Sequence, residues 1–177
     1  GYIGMVEERI ASLELSEGAE PRVFFEFKSP YKSASAESTF HKPIVQAGGI
    51  NIAASQPISS PRLSSEWVVA QDPEVIVHRV SGDDTLEEMC SLREEIMSRP
   101  GLRELEAVEQ GRVYVVKADV FLTVRYPVGL LYYARWFHPE LFSDMDPQAV
   151  HREIVEHFFG PEQWEYLAGS EGFACPG

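Results

Sequence analysis

Apolar residues recur with two different periods along this chain, and the changes of period divide it into alternating helices and strands. Ile3, Val6, Ile10 and Leu13 stand at helical spacing, with Glu7, Glu8 and Arg9 between them. They predict an amphipathic helix over Gly1–Glu14. After a turn at Ser16–Pro21, the run Arg22–Phe27 reads RVFFEF and predicts a first strand, followed by a polar loop, Lys28–Ser35, that carries Tyr31. Glu37–Gln46 can form a helix that Gly48-Gly49 stops, because glycine accepts the left-handed backbone of a helix end. A Pro/Ser-rich loop leads to Ser64-Ser65-Glu66, where a serine hydroxyl can accept from free backbone N–H groups and a carboxylate suits the positive end of a new helix. Asp72-Pro73 closes that helix, since the residue before proline is pushed out of helical space. Val75–Arg79 then predicts a strand buried on both faces.

The second half repeats the alternation. Thr85 and Glu88 have the spacing of a capping box, and Leu86, Met89, Leu92 and Ile96 share one side of the helix they open. Arg99-Pro100-Gly101 ends it. A short helical piece near Arg103–Val108 precedes Gln110-Gly111, and Arg112–Val116 predicts a third strand. Pro127 suits the first position of a helix reaching Phe137, apolar nearly all round except for Arg135 and therefore expected to be buried. Asp146-Pro147 opens a last helix with Val150, Ile154 and Phe158 on its inner face, and Gly160-Pro161 stops it. The tail beyond Tyr166 is expected to be irregular. No internal repeat or low-complexity tract is present.

Strands alternating with helices predict an α/β fold, a three-layer sandwich around a mostly parallel central sheet. Ligands of such sheets sit beyond the carboxyl ends of the strands. The rule selects three loops, Lys28–Ser35, His78–Asp83 and Lys117–Tyr126. They hold Tyr31, Arg79, Arg125 and Tyr126, with Arg62 on the neighbouring Pro/Ser loop. Arginine forks match carboxylate, catecholate or phosphate oxygens, and tyrosines add flat apolar area with a donor at the tip. The set suits a large anionic chelate; surface arginines paired with the chain's many acids are the other reading.

Several segments together carry a resemblance: AGGINIA from Ala47, SSEWVVAQDPEVIV from Ser64, GRVYVV from Gly111, and YPVGLLYYARWFHPELFSDMDP from Tyr126. Their order and spacing over roughly Pro21–Gly160 resemble the C-terminal lobe of substrate-binding proteins that feed iron-chelate (siderophore or haem) and cobalamin ABC importers. The last segment is similar to archaeal-type members. The resemblance implies one lobe of a two-lobed, helix-linked protein. Residues 1–19 would then be the tail of the inter-lobe helix and a turn, and residues 20–177 the C-terminal ligand-binding lobe. An ordinary N-terminal helix fits the first residues as well. It further implies an extracytoplasmic protein, periplasmic or anchored at the cell surface. Such a protein captures an iron siderophore, haem or corrinoid between this lobe and a missing N-terminal lobe, delivers it to a membrane permease, and catalyses nothing. In that family a glutamate in the SxE helix opening docks against permease arginines, and Glu66 aligns with it. From another class, the strand–helix order alone also allows a flavodoxin-like nucleotide- or flavin-binding enzyme domain.

Charge narrows the partners. With 15 Lys and Arg against 28 Asp and Glu the net charge is −13, which argues against a nucleic-acid surface and against docking on anionic lipid. Hydrophobic residues make up 44% of the 177, enough for the core of one domain. Cys90 and Cys175 lack metal-type spacing, and their separation does not decide whether they pair. Catalytic signatures are missing: there is no dinucleotide fingerprint, Walker loop or Gly-x-Ser-x-Gly elbow. His151 and His157 are not the i, i+4 pair of zinc proteases, so both are assigned to a solvated helix face and no resident metal or cofactor is expected. His138, at a helix end, could cap it as an imidazolium favoured by the dipole. His41 and His78 have no assigned role.

Overall fold

The structure, a computed structural model, describes residues 1–12, 20–164 and 173–175. Leu13, most of the Ser16–Pro21 turn and the tail just beyond Tyr166 lie outside them. Four parallel strands form the centre: β1 (Arg22–Phe27), β2 (Ile50–Asn51), β3 (Val75–Val80) and β4 (Val113–Lys117), in the order β2-β1-β3-β4. The three predicted strands are therefore present and parallel, shifted by at most one residue. The two-residue β2 carries too short a pattern to read.

Because side chains alternate across a strand, β1 feeds two cores. Val23, Phe25 and Phe27 face one side, where helices α1 (Tyr2–Ala11), α2 (His41–Gln46), α6 (Tyr126–Phe137) and α7 (Pro147–Phe159) pack. Phe24 faces the other, with α3 (Ser65–Ala70), α4 (Leu86–Ser98) and α5 (Glu106–Glu109). The outcome is the three-layer sandwich expected from the alternation.

Local signals act largely as read. The Ser64 hydroxyl accepts from the Trp67 N–H, Thr85 and Glu88 complete a reciprocal capping box, and the Asp146 carboxylate accepts from the Gln148 N–H. Helix α6 is buried along most of its length. Cys90 on α4 and Cys175 form a disulfide that ties the chain's last described residues to the sheet, where Ala174 bridges Val116 and the Cys175 N–H donates to Val115.

Four expectations are corrected. Helix α2 starts at His41 rather than Glu37, because a start at Glu37 would put Pro43 in a helix interior, whereas from His41 it falls in the first turn. His151 lies not on a solvated face but in the core, against Phe173 and Trp164, because α7 turns Val150, His151, Ile154 and Val155 inward together. Phe158, expected inside, extends past the edge of that core and is 62% exposed. His138 does cap α6, but as a neutral ring. Burial lowers its pKa, Nε2 bonds the Gly48 carbonyl at 3.0 Å, and the cation at the helix end is Arg112, on the carbonyls of Trp136 and Phe137. Gly48 must be glycine there: its φ is 74°, and a Cβ would lie 2.7 Å from the His138 Nε2.

Candidate functional site

A cavity of about 890 Å³ opens beyond the carboxyl ends of β1, β3 and β4, lined by Phe27–Pro30, His78–Ser81 and Ala118 among others. These are the three loops selected by the strand-end rule. The loop after β1 holds the left-handed backbone at Lys28 and Tyr31, with φ of 64° and 60°. A non-glycine residue keeps such a conformation only where its surroundings impose it. Glu26 does so by accepting the Tyr31 N–H, and Ser33 Oγ donates to the Phe25 carbonyl. Facing it, Gly82 lets the loop after β3 approach Asp119 so closely that a Cβ would lie 2.4 Å from its carboxylate.

Glu26 is the centre of a buried network. It is fully buried, on the α4 side of β1, and the parallel register sets it beside His78 on β3. Arg99, at the end of α4, donates to both of its oxygens at 2.9 and 2.8 Å, and His78 Nδ1 lies 2.7 Å from Oε1. Burial by itself would raise the Glu26 carboxyl, but hydrogen bonds from His78, Arg99 and the Tyr31 backbone outweigh it and hold the pKa below the usual carboxylate range. Arg99 also pairs with Glu95 at 2.8 Å and lies over the Tyr31 ring. Sequence reasoning missed this network: Glu26 sits inside an apolar run and Arg99 beside a helix-stopping proline. A carboxylate at a core position of a strand was the one signal, since it demands a partner.

Arg79 points to the other side of β3. Its guanidinium lies 4.5 Å from the Phe40 ring centroid and 5.5 Å from that of Phe121, and it donates to the Ala118 carbonyl at 3.2 Å. Its Nε is buried without a hydrogen-bond partner, and burial lowers its pKa. A planar cation thus lies between aromatic rings at the cavity wall, with no carboxylate hydrogen-bonded to it among the described residues.

The other expected site residues disperse. Tyr31 stacks on Phe24 beneath the loop, and Arg62 staples the rim by donating to the Pro30 carbonyl and Ser29 Oγ. Arg125 lies over Phe173, and Tyr126 bonds Gln46 and borders a separate groove with Tyr2 and Phe158. Only Arg79 of the five lines the cavity. Glu66 is exposed at the first turn of α3, where its own backbone N–H and the Ser64 and Ser65 hydroxyls hold its carboxyl below its ordinary pKa. Among the described residues, no group of three or more His, Cys, Asp or Glu could hold a metal ion.

A family model described as "Periplasmic binding protein" matches residues 3–120. The chain is 40% identical over 70 residues to a cobalamin-binding protein of Halobacterium salinarum, covering 38% of this chain and 19% of that protein. Among solved structures, the TroA-like periplasmic binding protein FepB from Veillonella parvula superposes with a TM-score of 0.76 at 22% identity, over 90% of this chain and 51% of that one. The CeuE protein of Helicobacter pylori in a nickel–histidine complex superposes at 0.70 with 17% identity, over 94% and 53%. The chain thus spans about half the length of these structures.

Proposed function

This chain belongs to the periplasmic binding protein family, and from that premise we propose that it is the ligand-binding lobe of an ABC importer's substrate-binding protein. It captures an anionic metal chelate (an iron siderophore, haem or corrinoid) outside the cytoplasm. One observation carries the ligand class: the Arg79 guanidinium, held between Phe40 and Phe121 at the wall of a cavity beyond the strand ends, with no carboxylate hydrogen-bonded to it among the described residues. The rings supply apolar area for a chelate's flat face, and the arginine supplies charge-assisted bonds to its oxygens. The names of the relatives, cobalamin-binding in one case and a nickel–histidine complex in another, support a metal chelate as the class.

In this reading a second lobe closes the cavity, α1 is the end of the helix joining the two, and Glu66 docks on arginines of the membrane permease. Its exposure and its hydroxyl partners leave that charge available. The chain performs no reaction of its own. The test is a fluorescence titration with a ferric tris-catecholate, haemin, hydroxocobalamin and, as the enzyme-class control, flavin mononucleotide. Saturable binding of one metal chelate without flavin binding is expected. Flavin binding alone, or saturation by none of the chelates, would overturn the reading.

A further inference from the structure

The end of β3 sends adjacent side chains to opposite sides of the sheet, and both His78 and Arg79 line the same cavity. We propose that His78 is a metal-donor residue: its Nε2 takes an exchangeable coordination position on the metal ion of a bound anionic chelate whose charge Arg79 receives. This rests on the reading of the cavity as a chelate site, and it says which chelates gain a further bond there: those that leave a position open.

The argument starts at Glu26. Its carboxylate can only accept, and it accepts from the Tyr31 N–H, from Arg99 and from His78 Nδ1 at 2.7 Å. The His78 Nδ1 therefore carries a proton, and in the neutral tautomer so fixed the lone pair is on Nε2. That nitrogen has no hydrogen-bond partner among the described residues, while the ring itself is only 4% exposed and lines the cavity. A carboxylate on one ring nitrogen is also what orients metal-ligating histidines and raises their basicity. The other buried histidines differ: His138 spends its Nε2 on Gly48, and His151, whose Nε2 also lacks a partner, packs against Trp164 and Phe173 away from this cavity.

A single imidazole cannot hold a bare ion, and the described residues offer no cluster of ligands that could. One donor suits an ion whose other positions a chelator already fills. The exchange is balanced without redox chemistry: the Nε2–metal bond forms as a metal–water bond breaks, the water leaves, and the proton stays on Nδ1.

Copper(II) nitrilotriacetate, an anion with an exchangeable position, is the probe, and the inert, saturated cobalt(III) EDTA anion is its control. Pulsed electron paramagnetic resonance of the copper chelate on the chain should show the remote nitrogen of an imidazole. His78→Gln should remove that signal and weaken copper chelate binding at least about tenfold, the low end of what misplacing a metal ligand costs. Cobalt chelate binding should not change. His41→Gln and His157→Gln should leave the signal in place. Persistence of the signal in His78→Gln, or its loss only in His157→Gln, overturns the proposal. Should His78→Gln fail to fold, copper-induced broadening of ring resonances in the unsubstituted chain reads the same contact; His78 is expected to broaden first, and His157 broadening first contradicts it. If Arg79→Ala weakens both chelates while His78→Gln weakens neither, the anion cavity stands and the donor role falls. If only His78→Gln has an effect, the anion reading falls instead.

Discussion

Glu26 and Arg99 meet at 2.8 Å where the end of β1 passes beside the end of α4, joining residues 73 positions apart in the chain. Both are buried, so neither charge can return to water if the other is removed. Glu26→Ala should therefore destabilise the chain by about 3–5 kcal/mol, the range for orphaning one member of a buried pair. Glu26→Gln, which keeps an acceptor for the Tyr31 N–H, should cost less. Urea denaturation of the two variants measures both.

The same carboxyl makes a pH prediction. Its native pKa is depressed, so the unfolded chain takes up its proton first as pH falls. The stability it contributes is present above the unfolded carboxylate pKa and is lost as pH falls through the lower native value. Glu26→Gln should flatten that part of the acid limb.

His151 acts at higher pH. Burial lowers its pKa to about 4, and burial lowers that of His138 as well, so both are neutral in the fold. The unfolded chain protonates them first, near pH 6.5. Their contribution is complete above that pH and declines as pH falls towards 4, with His151 alone worth on the order of 3 kcal/mol across the window. His151→Phe, which keeps the ring contacts with Trp164 and Phe173, should remove most of this slope in thermal melts taken between pH 7 and pH 4.

Reduction of Cys90–Cys175 opens a link spanning 85 residues. The expected loss is about 2–4 kcal/mol. Hydrogen exchange should quicken at the Cys175 amide, which bonds Val115, and at Lys117, which bonds the Phe173 carbonyl. Unchanged exchange there would mean that the strand pairing holds without the link.

Much of this architecture was legible. RVFFEF and VIVHRV are strands as their composition demands, and the Thr85–Glu88 box and the Ser64 and Asp146 caps work within a few residues. The strand-end rule placed the cavity, because it follows from topology rather than from side chains. What it could not do was choose among side chains. Arg79 and Arg125 look alike in sequence, yet only the first meets Phe40 and the cavity, while the second is carried over Phe173 by the 3-10 turn before α6. The Glu26–His78–Arg99 network escaped notice because its members lie 52 and 73 residues apart and no local period links them. His151 is polar by type but a core residue by helical position, at i, i+4 spacing from the buried Val155.

The central claim is that Arg79 receives an anion in the strand-end cavity, and calorimetric titration of a ferric tris-catecholate into the chain and its Arg79→Ala variant tests it most directly. Among the described residues Arg79 pairs with no acidic side chain by hydrogen bond, so the variant should fold with near-native stability. Its affinity should fall about ten- to a hundredfold, the loss of a charge-assisted hydrogen bond worth about 1.5–3 kcal/mol. Equal affinity in a folded Arg79→Ala chain would contradict the account.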